Sequence, residues 1–308
     1  LMALHEHLEL RRRLTVTKAQ AKTTWNLRLP RQAVVPTVLE QFGKLSAGVP
    51  GGSGPVQLWR STNVTFTDGH GIAEPGVDEG GLTRDMHCLF WTEVFKPEHG
   101  LFEQRGRGRY LPSANASIDG LENAGRVLLK SIIDDHPTGR QLGRFLFEFL
   151  SDSHERRVFV RERPLEALRA LADFDEELAE QWQSLVVQES DAELNGSDLT
   201  LDLFDESLGE GPVTRANVAE AVVAGCRRIL LLERREQLDA FRTGFTFHGN
   251  IDLQLQLAPI PCEQLMLLVR GKDELSADDL LGCFNLDNAP NPTVAGYLRE
   301  VIASRLKR

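Results

Sequence analysis

The chain has 308 residues, 41% hydrophobic and 26% charged, a globular composition that excludes disorder, collagen and coiled coil and suffices for one large domain or two smaller ones. Forty-five acidic residues against thirty-five basic ones leave a formal charge of −10, the wrong sign for neutralising phosphates, which sets nucleic acid aside as a partner. No stretch approaches the ~18 apolar residues of a membrane span, and in the opening LMALHEHLELRRRL the charges of Glu6, Glu9 and three arginines interrupt any signal core.

In chain order, Arg11, Arg12, Arg13, Lys18, Lys22, Arg28 and Arg31 against only Glu6 and Glu9 mark the first thirty or so residues as a basic, partly helical lead-in. Val34, Val35, Val38, Leu39 and Phe42 fall at helical spacing and predict a short amphipathic helix over 33–42. The run AGVPGGSGP at 47–55 holds no regular element. After it, Val56, Leu58, Val64 and Phe66 at even spacing predict one or two short strands. Leu82, Met86, Leu89 and Phe90 predict a helix buried on that face, with Cys88 packed in the core. Two more helices are expected at 121–133 and 139–150.

From about 151 to 211 the composition turns strongly acidic, with helical patterns at 164–172 and 176–187 followed by a strand-like SDLTLDLF at 197–204. This shift predicts a distinct subdomain. One helix is expected over 214–241, with Thr214 as its N-cap and Gly244 as its stop, then helices at 261–269 and 293–306. The fold class read from these elements is mainly α with a few short β-strands (α+β).

Site chemistry is sparse. Four cysteines at 88, 226, 262 and 283 form no CxxC pair, so no zinc site or disulfide framework is expected, and the thiols suit a cytoplasmic or nuclear protein. His5 and His7 lack a third ligand nearby, so no metal and no cofactor is expected. His87 and Cys88 are helix neighbours that point apart and are not a nucleophile pair. The turn GVDEGG leads into a helix, as a phosphate cradle does, but Asp78 and Glu79 would repel an anion and no GK[ST] lysine follows. Its glycines are expected to serve backbone geometry instead, with Gly80 and Gly81 in conformations that suit glycine and Asp78 or Glu79 capping the helix.

The stretch GVDEGGLTRDMHCLFWTEVFKPEHGLFE at 76–103 resembles the signature of the HECT ubiquitin ligase domain, a GVDxGGxTRE-type turn entering a helix that ends in F-x-P-E-x-G-L-F. Gly76, Asp78, Gly80, Gly81, Thr83 and Arg84 carry its first part. Further matches follow in family order: NAGRVLLKSI at 123–132, LGRFLFEFLS at 142–151, DEELAEQWQSL at 175–185, PVTRANV at 212–218, LDAFRTGF at 238–245, PCEQLMLLVRG at 261–271 and NPTVAGYLREVI at 291–302.

The resemblance implies a HECT N-lobe over 25–308 behind a lead-in at 1–24. It implies a bilobal architecture: a large helical subdomain from about 25–150 and 226–308, and a smaller inserted subdomain from about 151–225. It implies an E3 ubiquitin transferase whose N-lobe recruits a ubiquitin-conjugating enzyme, with ubiquitin and a protein substrate as further partners. The family's thioester-forming cysteine lies in a C-lobe, expected beyond residue 308. Gly282-Cys283-Phe284-Asn285 is similar to the T-C-F-N motif around that cysteine, which keeps Cys283 as a thioester candidate, although the lobe that should precede it has no room. The family's apolar groove for the conjugating enzyme maps to Leu178 and Trp182, and its two groove aromatics to Ala221 and Gly225. Losing those aromatics leaves an alternative, a degenerate HECT-like interaction module without ligase activity.

Overall fold

The computed structural model describes residues 24–45, 58, 60–136, 141–152, 154–187, 199–246, 260–271 and 292–305. The lead-in up to residue 23, the glycine-rich run at 47–55 and Cys283 lie outside the described residues.

Strand β1 (Trp25–Pro30) pairs in parallel with β2 (Thr62–Thr67), setting Leu27 beside Val64 and Leu29 beside Phe66. All four side chains are buried. The end of the expected lead-in is thus a strand, because its alternating Leu27 and Leu29 find a partner edge. Helix α1 (Val34–Gly43) lies in the crossover that a parallel pair requires and buries Val34, Val35, Val38 and Phe42. Trp25 meets Phe42 edge-on at 4.9 Å between ring centroids.

Helix α2 (Gly81–Glu93) buries Thr83, Met86, His87, Phe90 and Trp91, a stripe turned by about one residue from the expected one. Cys88 is consequently exposed, not packed in the core. The cause is polar: His87 Nε2 lies 3.4 Å from the buried Asp134 carboxylate, which also accepts from Lys130 Nζ at 2.8 Å and the Thr62 hydroxyl at 2.7 Å. Burial pushes the Asp134 carboxyl up, but its hydrogen bonds with His87 and Lys130 and the lysine charge outweigh that and hold it well below the usual range.

The hairpin β3 (Phe102–Glu103) and β4 (Leu111–Pro112) leads to the sixteen-residue α3 (Ile118–Ile133), whose N-cap Ser117 accepts from the Gly120 N–H at 3.2 Å. Next come α4 (Arg144–Leu150), the single turn α5 (His154–Arg157), α6 (Pro164–Ala172) with proline in its first turn, and α7 (Glu176–Val187). Helices α6 and α7 pack on each other and on α8 (Val218–Leu230), forming a three-helix unit that touches α4 through α6. Helix α8 runs through the expected subdomain boundary at 225 and 226.

The helix expected over 214–241 is two helices. A 3-10 turn at Leu232–Arg234 separates α8 from α9 (Arg235–Phe245). Buried Arg234 accounts for the break: its guanidinium donates to the Ile229 carbonyl at 2.9 Å, the Pro112 carbonyl at 2.9 Å and Glu103 at 2.7 Å. A continuing helix would offer the Ile229 carbonyl to residue 233 instead. Thr214 is not the N-cap, and Gly244 lies inside the last turn of α9. Helix α9 packs along α3, α10 (Cys262–Arg270) packs on α4, and α11 (Pro292–Arg305) is the last helix described. The buried side chains join into one hydrophobic cluster. Its aromatic centre includes Trp91, Phe95 and Phe102, with Phe102 lying 6.1 Å from Phe241 between ring centroids.

Candidate partner-binding groove

Helix α7 starts where Asp175 accepts the Leu178 N–H at 3.1 Å on its carboxylate and the Ala179 N–H at 3.1 Å on its carbonyl. Glu176 and Glu177 in the first turn complement the helix dipole. Ala179, Trp182 and Leu185 then face inward, and Leu178 is half-buried.

The segment expected as a strand at 197–204 is otherwise, as far as it is described. An isolated bridge pairs Thr200 with Pro212, the Leu201 N–H donates to the Gly211 carbonyl at 2.9 Å, and the Val213 N–H donates to the Leu199 carbonyl at 3.1 Å. This neck closes a compact loop holding two 3-10 turns, Leu201–Leu203 and Glu206–Leu208. Asp205 caps the second turn. The Ser207 hydroxyl donates to its carboxylate at 2.6 Å and, ahead of the opposing effect of burial, holds the Asp205 carboxyl below its usual range. Phe204 is driven inward while Leu203 stays 54% exposed. Asn217 ties the loop's exit to α8, accepting from the Thr214 N–H at 2.7 Å and donating to the Pro212 carbonyl at 3.0 Å. That bracket is what the spacing of PVTRAN accomplishes.

Trp182 and Gly225 are brought into direct contact. A Cβ at Gly225 would stand 2.6 and 2.9 Å from two carbons of the Trp182 ring and 3.3 Å from Phe204 Cβ. The indole therefore occupies the space that a side chain on α8 would fill, and it lies 5.0 Å from Phe204 between ring centroids. Ala221, one turn earlier on α8, is fully buried. Neither it nor Gly225 opens onto the surface.

Beside Trp182 lies a groove of about 280 Å³ lined by Gln181, Trp182, Ser184, Leu185, Leu199, Leu203 and Phe204. Its described lining is apolar with two uncharged polar side chains, so among the described residues it offers no general acid, base or nucleophile beyond a surface serine. An apolar groove of this size has room for a side chain or two projecting from a protein partner. The resemblance placed the groove on α7 and the segment after it, but of the residues it named only Trp182 lines the groove; Leu178, Ala221 and Gly225 do not, and Leu185, Leu199, Leu203 and Phe204 were not named. The Leu-x-Leu-x-Leu-Phe run signals an apolar wall even where it is not a strand.

In the signature turn, Gly76 has φ 152° and Gly80 has φ 99°, whereas Gly81 opens α2 without positive φ. Asp78 accepts from the N–H groups of Gly80, Leu82 and Thr83 at 2.9, 3.1 and 3.3 Å, from the Val64 N–H at 2.8 Å and from the Thr83 hydroxyl at 2.5 Å. Burial pushes this carboxyl up, and the hydrogen bonds led by Thr83 outweigh it and hold it below the usual range. The Arg84 N–H donates to the Gly80 carbonyl at 3.1 Å. The turn thus staples β2 to the start of α2.

Of the described thiols, Cys226 and Cys262 are buried and burial pushes both well above their ordinary range, which disfavours the thiolate. Cys88 alone among the described cysteines is exposed. Among the described residues no group of three or more His, Cys, Asp or Glu is placed to hold a metal ion, and no helix is long and apolar enough to cross a membrane.

A family model for the HECT domain (ubiquitin-transferase) matches residues 88–307, from within α2 past the end of α11. A probable E3 ubiquitin protein ligase of Schizosaccharomyces pombe is 32% identical over 81 residues, 26% of this chain and 7% of that protein. The chain therefore matches only a small part of that relative's length.

Proposed function

The chain belongs to the HECT-domain family of ubiquitin transferases, and from that premise we propose that its groove on α7 and the 199–213 loop recruits a ubiquitin-conjugating enzyme. The groove's apolar lining and size carry the reading, since both suit projecting side chains of a protein partner. In this reading α6, α7, the 199–213 loop and α8 make up the partner-facing subdomain, inserted into a larger one, with the boundary expected at 225 and 226 moved to the end of α8. The setting is cytoplasmic, and the further partners are ubiquitin and a protein substrate. Ligase chemistry moves ubiquitin from the conjugating enzyme's thioester to an acceptor thiolate, releasing the enzyme's thiol, and then to a substrate lysine amine, forming an amide and releasing the acceptor thiol. Buried Cys226 and Cys262 are unsuited to the acceptor role.

A second reading has one observation in its favour. Trp182 fills the space over Gly225 and is 9% exposed, so it presents little surface to a partner. An interaction module without transfer activity would tolerate that arrangement.

The test is a titration of the chain against a panel of conjugating enzymes by calorimetry, with Leu203→Asp as the variant. Recruitment predicts saturable binding by at least one enzyme, weakened tenfold or more by Leu203→Asp, about 1.4 kcal/mol. Binding of none, or binding unaffected by Leu203→Asp, would remove the groove from the account.

A further inference from the structure

The loop between β3 and β4, residues 104–110, reads QRGRGRY and leans on the turn that joins α6 to α7. The Arg109 N–H donates to the Asp173 carbonyl at 2.5 Å, and the Arg109 side chain meets the Asp173 carboxylate at 3.4 Å. Arg105 lies 3.7 Å from the Asp175 carboxylate, the group that caps α7, and its guanidinium stands 5.3 Å from the centre of the Phe174 ring. Between them, Gly108 abuts the turn so closely that an added Cβ would stand 2.1 Å from the Phe174 carbonyl oxygen. Gly108 has no positive φ, so close approach alone asks for glycine here.

We propose that this loop is an abutment that sets the pose of the groove relative to the α2–α3 core, with Gly108, Arg105 and Arg109 as positioning residues. The inference rests on the groove being the recruitment site. Half-exposed ion pairs of this kind contribute little to stability. What they can fix is geometry: three contacts in five residues grip the point from which α7 departs. Helix α7 has twelve residues, about 18 Å, and carries Trp182 and Leu185 along it. A shift at its start is therefore carried to the groove and to whatever docks there. Ubiquitin transfer needs reacting atoms within roughly 3–3.5 Å, so the pose of a recruited enzyme matters as much as its affinity. The described lining of the groove comes from α7 and the 199–213 loop, so moving the unit as a body leaves that lining intact.

The experiment separates pose from affinity. Spin labels are placed on native Cys88 of α2 and on Gln183→Cys of α7, both exposed, in a Cys283→Ser background, and their distance distribution is measured by double electron-electron resonance. Gly108→Ala should shift the distribution while the dissociation constant for the conjugating enzyme stays within about twofold. The exposed Arg107→Ala serves as the control and should change neither. An unshifted distribution in Gly108→Ala overturns the proposal. If Gly108→Ala does not fold, the double variant Arg105→Ala/Arg109→Ala keeps the close contact but removes both side-chain grips. It should broaden the distribution, and an unchanged width there equally overturns the proposal. Failure of the unaltered chain to bind any conjugating enzyme would defeat the recruitment reading, while the distance measurement would still decide whether the loop sets the pose.

Discussion

Gly225→Ala is the sharpest probe of how the groove unit is packed. In the middle of a helix this exchange ordinarily stabilises by about 1 kcal/mol, because glycine gives up more backbone freedom on folding. Here the new methyl would stand 2.6 and 2.9 Å from Trp182 ring carbons and 3.3 Å from Phe204 Cβ, so the indole must move. Overpacking of this kind costs about 1–3 kcal/mol. The net expectation in the unaltered chain is a loss of roughly 0–2 kcal/mol. Trp182→Ala alone should cost about 3–5 kcal/mol by opening a cavity. In that background the methyl meets no indole, and Gly225→Ala should show its intrinsic gain of about 1 kcal/mol. The sign of the effect thus reverses, a coupling of roughly 1–3 kcal/mol in a double-mutant cycle. Urea denaturation followed by far-UV circular dichroism reads the unaltered chain and the three variants at a common slope. A gain of about 1 kcal/mol in both backgrounds would refute the packing of Trp182 over Gly225.

Three further outcomes follow from the signature turn and the thiols. Asp78→Ala should cost about 1–3 kcal/mol at pH 7, since it strands N–H groups at the mouth of α2. The Asp78 carboxyl is held below its ordinary value in the folded chain, so its contribution is complete above the unfolded value of about 4. That contribution is lost as pH falls through the folded value. The stability gap between the unaltered chain and Asp78→Asn should therefore be flat from pH 5 to 8 and close below about pH 4; a gap that widens on acidification would contradict it. In a Cys283→Ser background, a thiol reagent should modify Cys88 rapidly in the folded chain, with Cys226 and Cys262 reacting only on unfolding. Fast native-state reaction of either buried thiol would contradict its placement.

Much of the helical layout was legible because local signals agreed. Asp175 before Glu176 and Glu177, with apolar positions at Ala179, Trp182 and Leu185, marks α7 without tertiary help. What escaped depended on distant partners. The break between α8 and α9 comes from Arg234 reaching Glu103, 131 residues away. The outward turn of Cys88 follows from His87 being drawn to Asp134, 47 residues on. Leucines at 199, 201 and 203 alternate as a strand's would, yet among the described residues no strand edge receives them, and the Thr200–Pro212 bridge closes them into a loop. At the groove, the small residues Ala221 and Gly225 were plain in the sequence. That Trp182 would lie over Gly225 was not, because it depends on what glycine leaves empty rather than on any residue present.

Recruitment through the groove is tested most directly by photo-crosslinking. Benzoylphenylalanine replaces exposed Leu203 at the groove and, as a control, exposed Leu267 on α10, and each variant is irradiated with a ubiquitin-conjugating enzyme that binds the unaltered chain. Recruitment through the groove predicts a covalent adduct with the enzyme from position 203 and none from position 267. Adducts from 267 alone, or equal yields from both, would contradict it.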